Sequence, residues 1–403
     1  MHSAVGIDSV YAWRRLAASV MLSTLGGIGM WALAVAMPAV QADLGVSRAD
    51  ISFAYSLNML GFFAGGVLTG RLVDRRGIVF ASIVSALGLP AGFGLAALAP
   101  KLSLFAAAQV LVGFSAAATF APLVADISHW FEKRRGLAVA IAASGNYLAG
   151  AIWPPIVGLM IQHHGWRVTY GSAAVLCLLT MIPLALTLKR RAPDHDAAHA
   201  ASVANQSLAA LGLSPRALQT LLIVAGLSCC VAMSMPQVHI VAYCSDLGYG
   251  VARGAEMLSL MLGFGIVSRV ATGWLADRVG GVMTLLIGST LQCVALFFYL
   301  VSDSLFSLYL ASALFGLFQG GIVPSYAIIV REYFPPREAA SRVGLTVSAT
   351  IVGMALGGWM GGVMFDMTGS YRAAFINGIA WNVLNAAIAW WLLSRQMRRT
   401  AAA

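Results

Sequence analysis

A single arginine, Arg269, interrupts the apolar run from Leu258 to Leu275, which is long enough to cross a bilayer. A cation at membrane depth costs about 2.5 to 3.5 kcal/mol on insertion scales, so such a residue marks a binding site or a pathway by default. Between Glu256 and Asp277 there is no acidic residue. The counter-charge is therefore expected to be the cargo; pairing with a backbone carbonyl or a neighbouring helix is the other reading. Guanidinium offers a planar fork that binds a carboxylate through two parallel charge-assisted hydrogen bonds, so the chemistry expected here is recognition of an organic anion. His239, in the stretch Met235 to Tyr243, is the residue best suited to carry a proton, because imidazole titrates near neutral pH; a hydrogen-bonded structural histidine is the alternative. Asp126 is the other acid considered for a proton role, with pairing to Arg134 or Arg135 as its alternative.

The elements that must position these residues follow from composition. Hydrophobic residues make up 60% of the 403 and charged residues 10%, against about 25% charged in soluble proteins. An all-α integral membrane protein is expected. Twelve apolar runs of about 20 residues, each the length that spans ~30 Å of hydrocarbon as a helix, fall near 16–40, 50–71, 78–99, 104–128, 136–161, 168–188, 218–243, 253–275, 282–301, 304–330, 341–365 and 373–394.

A net charge of +10 would suggest nucleic acid in a soluble chain, so the placement of the charges decides. With the N-terminus inside, Arg48, Lys101, Arg167, Arg253 and Arg372 fall outside the membrane, while nineteen of the 25 basic residues fall on the inner side. That bias obeys the positive-inside rule with both termini cytoplasmic. It makes the basicity topological and excludes nucleic acid as a partner. The first apolar segment is too long for the core of a signal peptide, and helix one is expected to stay in the mature chain. Cys177, Cys229, Cys230, Cys244 and Cys293 have an odd count and no metal-ligand spacing, so they read as packing residues, with Cys244 the one reasonable disulfide participant. No metal and no cofactor is expected.

The chain repeats itself at long range. Gly70-Arg-Leu-Val-Asp74-Arg75-Arg-Gly77 is answered 203 positions later by Gly273-Trp-Leu-Ala-Asp277-Arg278-Val-Gly280. Phe131 to Arg134 matches Phe334 to Arg337 at the same offset, and Gly165-Trp166-Arg167 matches Gly369 to Arg372 at 204 to 205. Two copies of a six-helix unit in one orientation are the mark of a secondary transporter with its site near the bilayer midplane where the repeats meet. The expected organisation is an N-terminal bundle over 1–188, a polar cytoplasmic linker over 189–217 that includes His195 and His199, and a C-terminal bundle over 218–403. Asn377, Asn382 and Asn385 read as interhelical glue, and the glycines, among them Gly145, Gly353, Gly357 and Gly361, as points of close helix approach. Pro154 and Pro155 are expected to kink helix five.

The Gly-x-x-x-Asp-Arg-x-Gly loop in both halves resembles the signature loop of the major facilitator superfamily, and the resemblance covers the whole chain. The stretch Trp130 to Gly150 and the placement of Arg269 four residues before Gly273 are similar to the branch of monocarboxylate porters and oxalate:formate antiporters, whose eighth helix carries the substrate-binding arginine. The resemblance implies that Asp74, Arg75, Asp277 and Arg278 are gating residues. Each carboxylate would stabilise a helix N-terminus of the other half, near Ser341 and Gly136 respectively, by about 0.3 to 1 kcal/mol. The basic residue of the family loop after its last glycine is absent here: Ile78, Val79 and Phe80 follow one copy, Gly281, Val282 and Met283 the other. The same resemblance nominates Trp31, Phe120, Asn146, Tyr147 and Tyr326 to line the cavity, each of them a contact or a packing residue.

Oxalate transporters of the branch carry a second cation on helix eleven, whereas Val343 to Phe365 contains no Lys, Arg or His. One positive charge matches one carboxylate. A small monocarboxylate such as lactate or pyruvate is the expected cargo, moved by alternating access with proton symport. Animal-type porters place an Asp four residues before the arginine, where this chain has Gly265, so an organic anion exchanger of the oxalate or formate kind stays open. A proton-driven exporter of drugs or sugars is the third reading. No cluster suited to catalysis lies at membrane depth, so an enzyme is not expected. The expected setting is a cell membrane, a bacterial inner membrane, with the carrier working as a monomer.

Overall fold

The computed structural model describes residues 7–132, 134–190, 213–301 and 303–400. Most of the expected linker, 191–212 with His195 and His199, lies outside them. Among the described residues the regular structure is entirely helical. In chain order, α1 is Val10–Leu44, α2 Arg48–Val73, α3 Ile78–Ala97 and α4 Leu102–Ile127. A 50-residue segment, Leu137–Leu186, follows. Run straight it would be about 75 Å long, more than twice the bilayer core, and it is divided at Gly165, whose φ of 77° lies in the left-handed region. Its limbs are α5 (137–164) and α6 (166–186). Then come α7 Pro215–Asp246, α8 Val251–Val279, α9 Gly281–Val301, α10 Leu305–Tyr333, α11 Ser341–Thr368 and α12 Arg372–Arg398. Among the described residues the eleven apolar segments, one divided at Gly165, thus give twelve spans. Helical dihedrals continue through Pro154 and Pro155, and the non-helical residue of this stretch is Gly165.

The repeat is visible in the backbone. Gly77 (φ 85°) and Gly280 (φ 81°) both take a positive φ at the ends of the two signature loops. The packing repeats too. A Cβ on Gly113 in α4 would sit 1.9 Å from the carbonyl oxygen of Asn58 in α2, and one on Gly316 in α10 would sit 2.0 Å from that of Met261 in α8, both pairs being 203 residues apart. Only glycine permits such backbone contact, the usual way apolar helices associate without a hydrophobic driving force between them.

By density of contacts the chain forms two compact units, Met1–His195 with Ile240–Ser259, and Asp196–His239 with Leu260–Ala403. In the first, α1 begins at Val10, six residues before the expected start, and carries Arg15 inside the fold. The side chain of Arg15 is fully buried: its Nε donates to Asp126 Oδ2 at 2.7 Å and its Nη2 to Asp126 Oδ1 at 2.8 Å. Its Nη1 donates to the carbonyls of Leu188 (3.1 Å) and Arg190 (3.0 Å) at the end of α6, and its guanidinium lies 4.7 Å above the Trp130 ring. Asp126 is therefore paired with Arg15, from which no sequence spacing could be read. In the second unit, Gly353, Gly357 and Gly361 of α11 press on α7, where added Cβ atoms would lie 2.4 Å from Leu227 O, Val231 O and His239 Nε2 respectively. Asn382 and Asn385 on α12 donate to the carbonyl and hydroxyl of Ser289 on α9, both at 2.7 Å, the interhelical role expected of them. All five cysteines are free.

Removing one partner of a buried, hydrogen-bonded ion pair strands the other charge, which typically costs about 3 to 5 kcal/mol, whereas replacing both with apolar residues can be neutral. Arg15→Ala is expected to lower the unfolding temperature of the detergent-solubilised protein, and the double variant Arg15→Met with Asp126→Leu to recover most of the loss.

Candidate substrate site

The azimuth of Arg269 is set by a seam of small residues. Along α10, Gly316 lies against Met261, Gly320 against Gly265 and Ser268, and Gly321 against Thr272, all on α8. At about 100° per residue these α8 positions share one face. Val267, Val270 and Trp274 are 56%, 68% and 58% exposed and share another. Arg269 lies on neither: it projects about 70° from the seam and is half-buried. The helix backbone beside it is tied down by Thr272, whose hydroxyl donates to Ser268 O at 2.7 Å. The acid nearest on α8 toward its start, Glu256, accepts from Arg253 at 2.9 Å.

The seam coincides with a discontinuity. α10 is interrupted at Gly320 and Gly321, and α4 at Ala118 to Phe120, where Phe120 has φ −119° and ψ −85°. The two breaks overlap through the 203-residue repeat at one position, Ala118 answering Gly321, and paired interruptions in the two halves are a pointer to transporter binding sites. Phe120 belongs to the α4 break; its neighbour Thr119 packs on Gly26 of α1. The other candidates of the first unit lie together where α1 meets α5: Trp31 donates through Nε1 to Asn146 O at 3.2 Å, Asn146 Nδ2 lies 3.5 Å from the Met30 sulfur, and Tyr147, the next residue, is buried.

In the second unit Tyr326 is fully buried and its hydroxyl donates to Asn385 Oδ1 at 2.8 Å. His239 is also fully buried, with Nε2 2.8 Å from Gly358 O and its ring 5.2 Å from that of Tyr371. Asp277 is exposed, as are Arg75 and Arg278, and the Arg278 guanidinium rests 3.6 Å over Trp274. The side chain of Asp74 lies outside the described residues. Among the described residues no group of three or more His, Cys, Asp or Glu is arranged to hold a metal.

The family model of the Major Facilitator Superfamily matches residues 20–303 and 257–402. The chain belongs to that superfamily. It is similar to monocarboxylate transporter 13 of Bos taurus (28% identical, covering 81% of this chain and 75% of the relative) and to monocarboxylate transporter 11 of Homo sapiens (27%; 92% and 80%). It is similar as well to the MFS-type transporter pynF of Aspergillus niger (26%; 80% and 74%). Among solved structures, a bacterial homolog of the human lysosomal transporter Spinster aligns at a TM-score of 0.77 with 15% identity over 97% of this chain and 98% of that one. The nucleoside transporter NupG aligns at 0.75 with 13% identity over 94% and 99%. At such identities these two show the shared fold. The protein is a multi-pass membrane transporter of the superfamily with a small-molecule substrate, not an enzyme.

Two polar contacts were not anticipated from the superfamily motifs. Glu332, near the end of α10, accepts from Gly281 N at 2.9 Å and so caps α9 directly after the second signature loop. Gln237 on α7 donates to Gln319 Oε1 on α10 at 2.9 Å, one residue before the α10 break. The signal for Gln319 is its place ahead of Gly320-Gly321; nothing along the chain connects it to Gln237.

Because the seam leaves no room at Gly316, Gly316→Val is expected to push α8 from α10 and to cost about 1 to 3 kcal/mol or more. Gly344→Ala, where an added Cβ meets open space, serves as the control in the same thermal unfolding series and should leave the midpoint unchanged or slightly raised.

Proposed function

We propose that this transporter moves a small monocarboxylate of the lactate or pyruvate kind, anchored by Arg269 and accompanied by a proton. The observation that carries the reading is a permanently charged, fork-shaped donor set half-buried in an apolar helix, beside the glycine seam and at the level of the α10 break. Relatives bearing the name monocarboxylate transporter support the cargo class, and the absence of Lys, Arg and His from 343–365 supports a single carboxylate over two. Trp31, Phe120, Asn146, Tyr147 and Tyr326 belong to the proposed lining. Their aromatic bodies suit apolar walls, with a few polar groups to fix the head of the cargo. The 1–188 and 218–403 bundles are the proposed halves and 189–217 the linker. Asp74, Arg75, Asp277 and Arg278 are the gating residues, and both termini are cytoplasmic in a bacterial inner membrane.

Of the two proton candidates, His239 is preferred, because the Asp126 carboxylate is already held by Arg15 through two hydrogen bonds. His239 sits with Nε2 against Gly358 O on the α7 to α11 contact, where gain of a proton alters a bond between two helices. The second reading, pH-independent exchange of organic anions, is favoured by Gly265, which stands where animal-type monocarboxylate porters are expected to carry an Asp.

Counterflow of labelled lactate, pyruvate, oxalate and formate in proteoliposomes at two pH values tests the assignment. Lactate and pyruvate are expected to exchange and oxalate not to. Arg269→Lys, which keeps the charge and loses the fork, is expected to weaken counterflow, and Arg269→Ala to abolish it; full activity of the alanine variant removes the anchor. For coupling, His239→Gln should eliminate acid-stimulated accumulation and spare counterflow. Acid stimulation intact in that variant assigns the proton elsewhere.

A further inference from the structure

The amide pair of Gln237 and Gln319 has no role in the motifs of the superfamily, and its geometry asks for one. Both side chains are buried, Gln237 2% and Gln319 1% exposed. The pair uses Gln237 Nε2 as donor and Gln319 Oε1 as acceptor at 2.9 Å. That leaves the Gln319 amino group, Nε2, buried and without a hydrogen-bond partner. An unmatched buried amide donor is costly, and such a group in a native fold calls for an explanation, whether an ordered water, an ion or a ligand.

Its placement relative to Arg269 supplies one. Successive spans alternate in direction, so α8 and α10, two apart, run parallel. They meet along the seam of Gly316 and Gly320 on α10 with Met261, Gly265 and Ser268 on α8. Counting about 100° per residue, Arg269 is displaced from the seam by about 70° in the sense of increasing residue number, and Gln319 by about 80° in the opposite sense. On parallel helices that face one another, opposite rotations lead to the same side. Arg269 and Gln319 therefore occupy one flank of the seam. They are also at one depth, since Gly320, which follows Gln319, meets Ser268, which precedes Arg269. The bond from Gln237 brings α7 against this flank.

We propose that Gln319 is a specificity-determining residue: its Nε2 donates a hydrogen bond to the oxygen on carbon 2 of a 2-hydroxy or 2-oxo monocarboxylate whose carboxylate is held by Arg269, while Gln237 fixes the amide in that orientation. This rests on the carboxylate reading of Arg269. A neutral donor suits the task, since it donates equally to a hydroxyl or a keto oxygen and adds no charge that would admit a dicarboxylate. An acid without that oxygen leaves the amide unmatched, which is how a polar site rejects an analogue that lacks one group.

The test uses the full-length protein in proteoliposomes and three labelled acids of equal carbon number: lactate, pyruvate and propionate. The unmodified protein is expected to prefer the first two. Gln319→Leu is expected to cut the lactate-to-propionate and pyruvate-to-propionate counterflow ratios about tenfold, the worth of one neutral hydrogen bond, with propionate flux retained as proof of a folded carrier. Gln319→Asn, which keeps the amide and shortens its reach, and Gln237→Leu, which frees it from its tether, are expected to lower both ratios by less; they carry the test should the leucine variant fail to fold. Equal loss for all three acids overturns the proposal in favour of a packing role. Loss of lactate preference alone overturns the donor assignment, because a keto oxygen can only accept. Failure of the carboxylate reading shows separately, as undiminished flux of all three acids in Arg269→Ala or as no flux of any acid in the unmodified protein.

Discussion

A guanidinium carried inside an apolar helix must be surrounded by polar or negative groups at every stage of a transport cycle, since exposure to hydrocarbon costs several kcal/mol. Arg269 imposes that constraint on α8, and the surrounding construction follows from it. The helix is held at a fixed rotation by close glycine contacts with α10, which keep the cation off the face that bears Val267, Val270 and Trp274. A side chain with its azimuth fixed by backbone packing can present a planar fork reproducibly, as bidentate recognition of a carboxylate requires.

The same device appears twice. Gly113 on Asn58 and Gly316 on Met261 are equivalent positions of the two repeats, both with carbonyl oxygen where a Cβ would be. The breaks in α4 and α10 overlap at Ala118 and Gly321, 203 residues apart. What the repeats do not share is polar content. The first has Asn58 and Gln109 joined by a hydrogen bond of 3.1 Å between α2 and α4, where the second has Met261 and Ser312. The second has Arg269 where the first has Gly66. A duplicated frame with chemistry placed on one copy is consistent with a scaffold whose packing is constrained more tightly than its polar content.

Much of this frame is legible in the sequence because it rests on properties of single segments. Length and hydropathy mark a span, and a repeated Gly-x-x-x-Asp-Arg-x-Gly marks a duplication. Where a boundary depends on a distant partner the reading slips. The expected start of α1 falls after Arg14 and Arg15, because two arginines normally end an apolar span, whereas Arg15 is neutralised inside the fold by Asp126, 111 residues away. Gly165 turns the chain through its positive φ, while Pro154 and Pro155 lie within the helix before it. The site is less legible than the frame. Residue type identifies Arg269, but only the seam shows which way it projects. Tyr326 looks like a cavity aromatic in sequence and spends its hydroxyl on Asn385, and the partnership of Gln237 with Gln319 depends on helices that the chain places 82 residues apart.

Equilibrium binding to the purified protein addresses the central claim, that a carboxylate is recognised through the Arg269 guanidinium, without the complications of flux. Displacement of labelled lactate by unlabelled lactate and by lactamide, its neutral isostere, separates charge recognition from shape. The account predicts full displacement by lactate, none by lactamide at the same concentrations, and no lactate binding to Arg269→Gln. Equal competition by the two compounds, or lactate binding that survives Arg269→Gln, would contradict it.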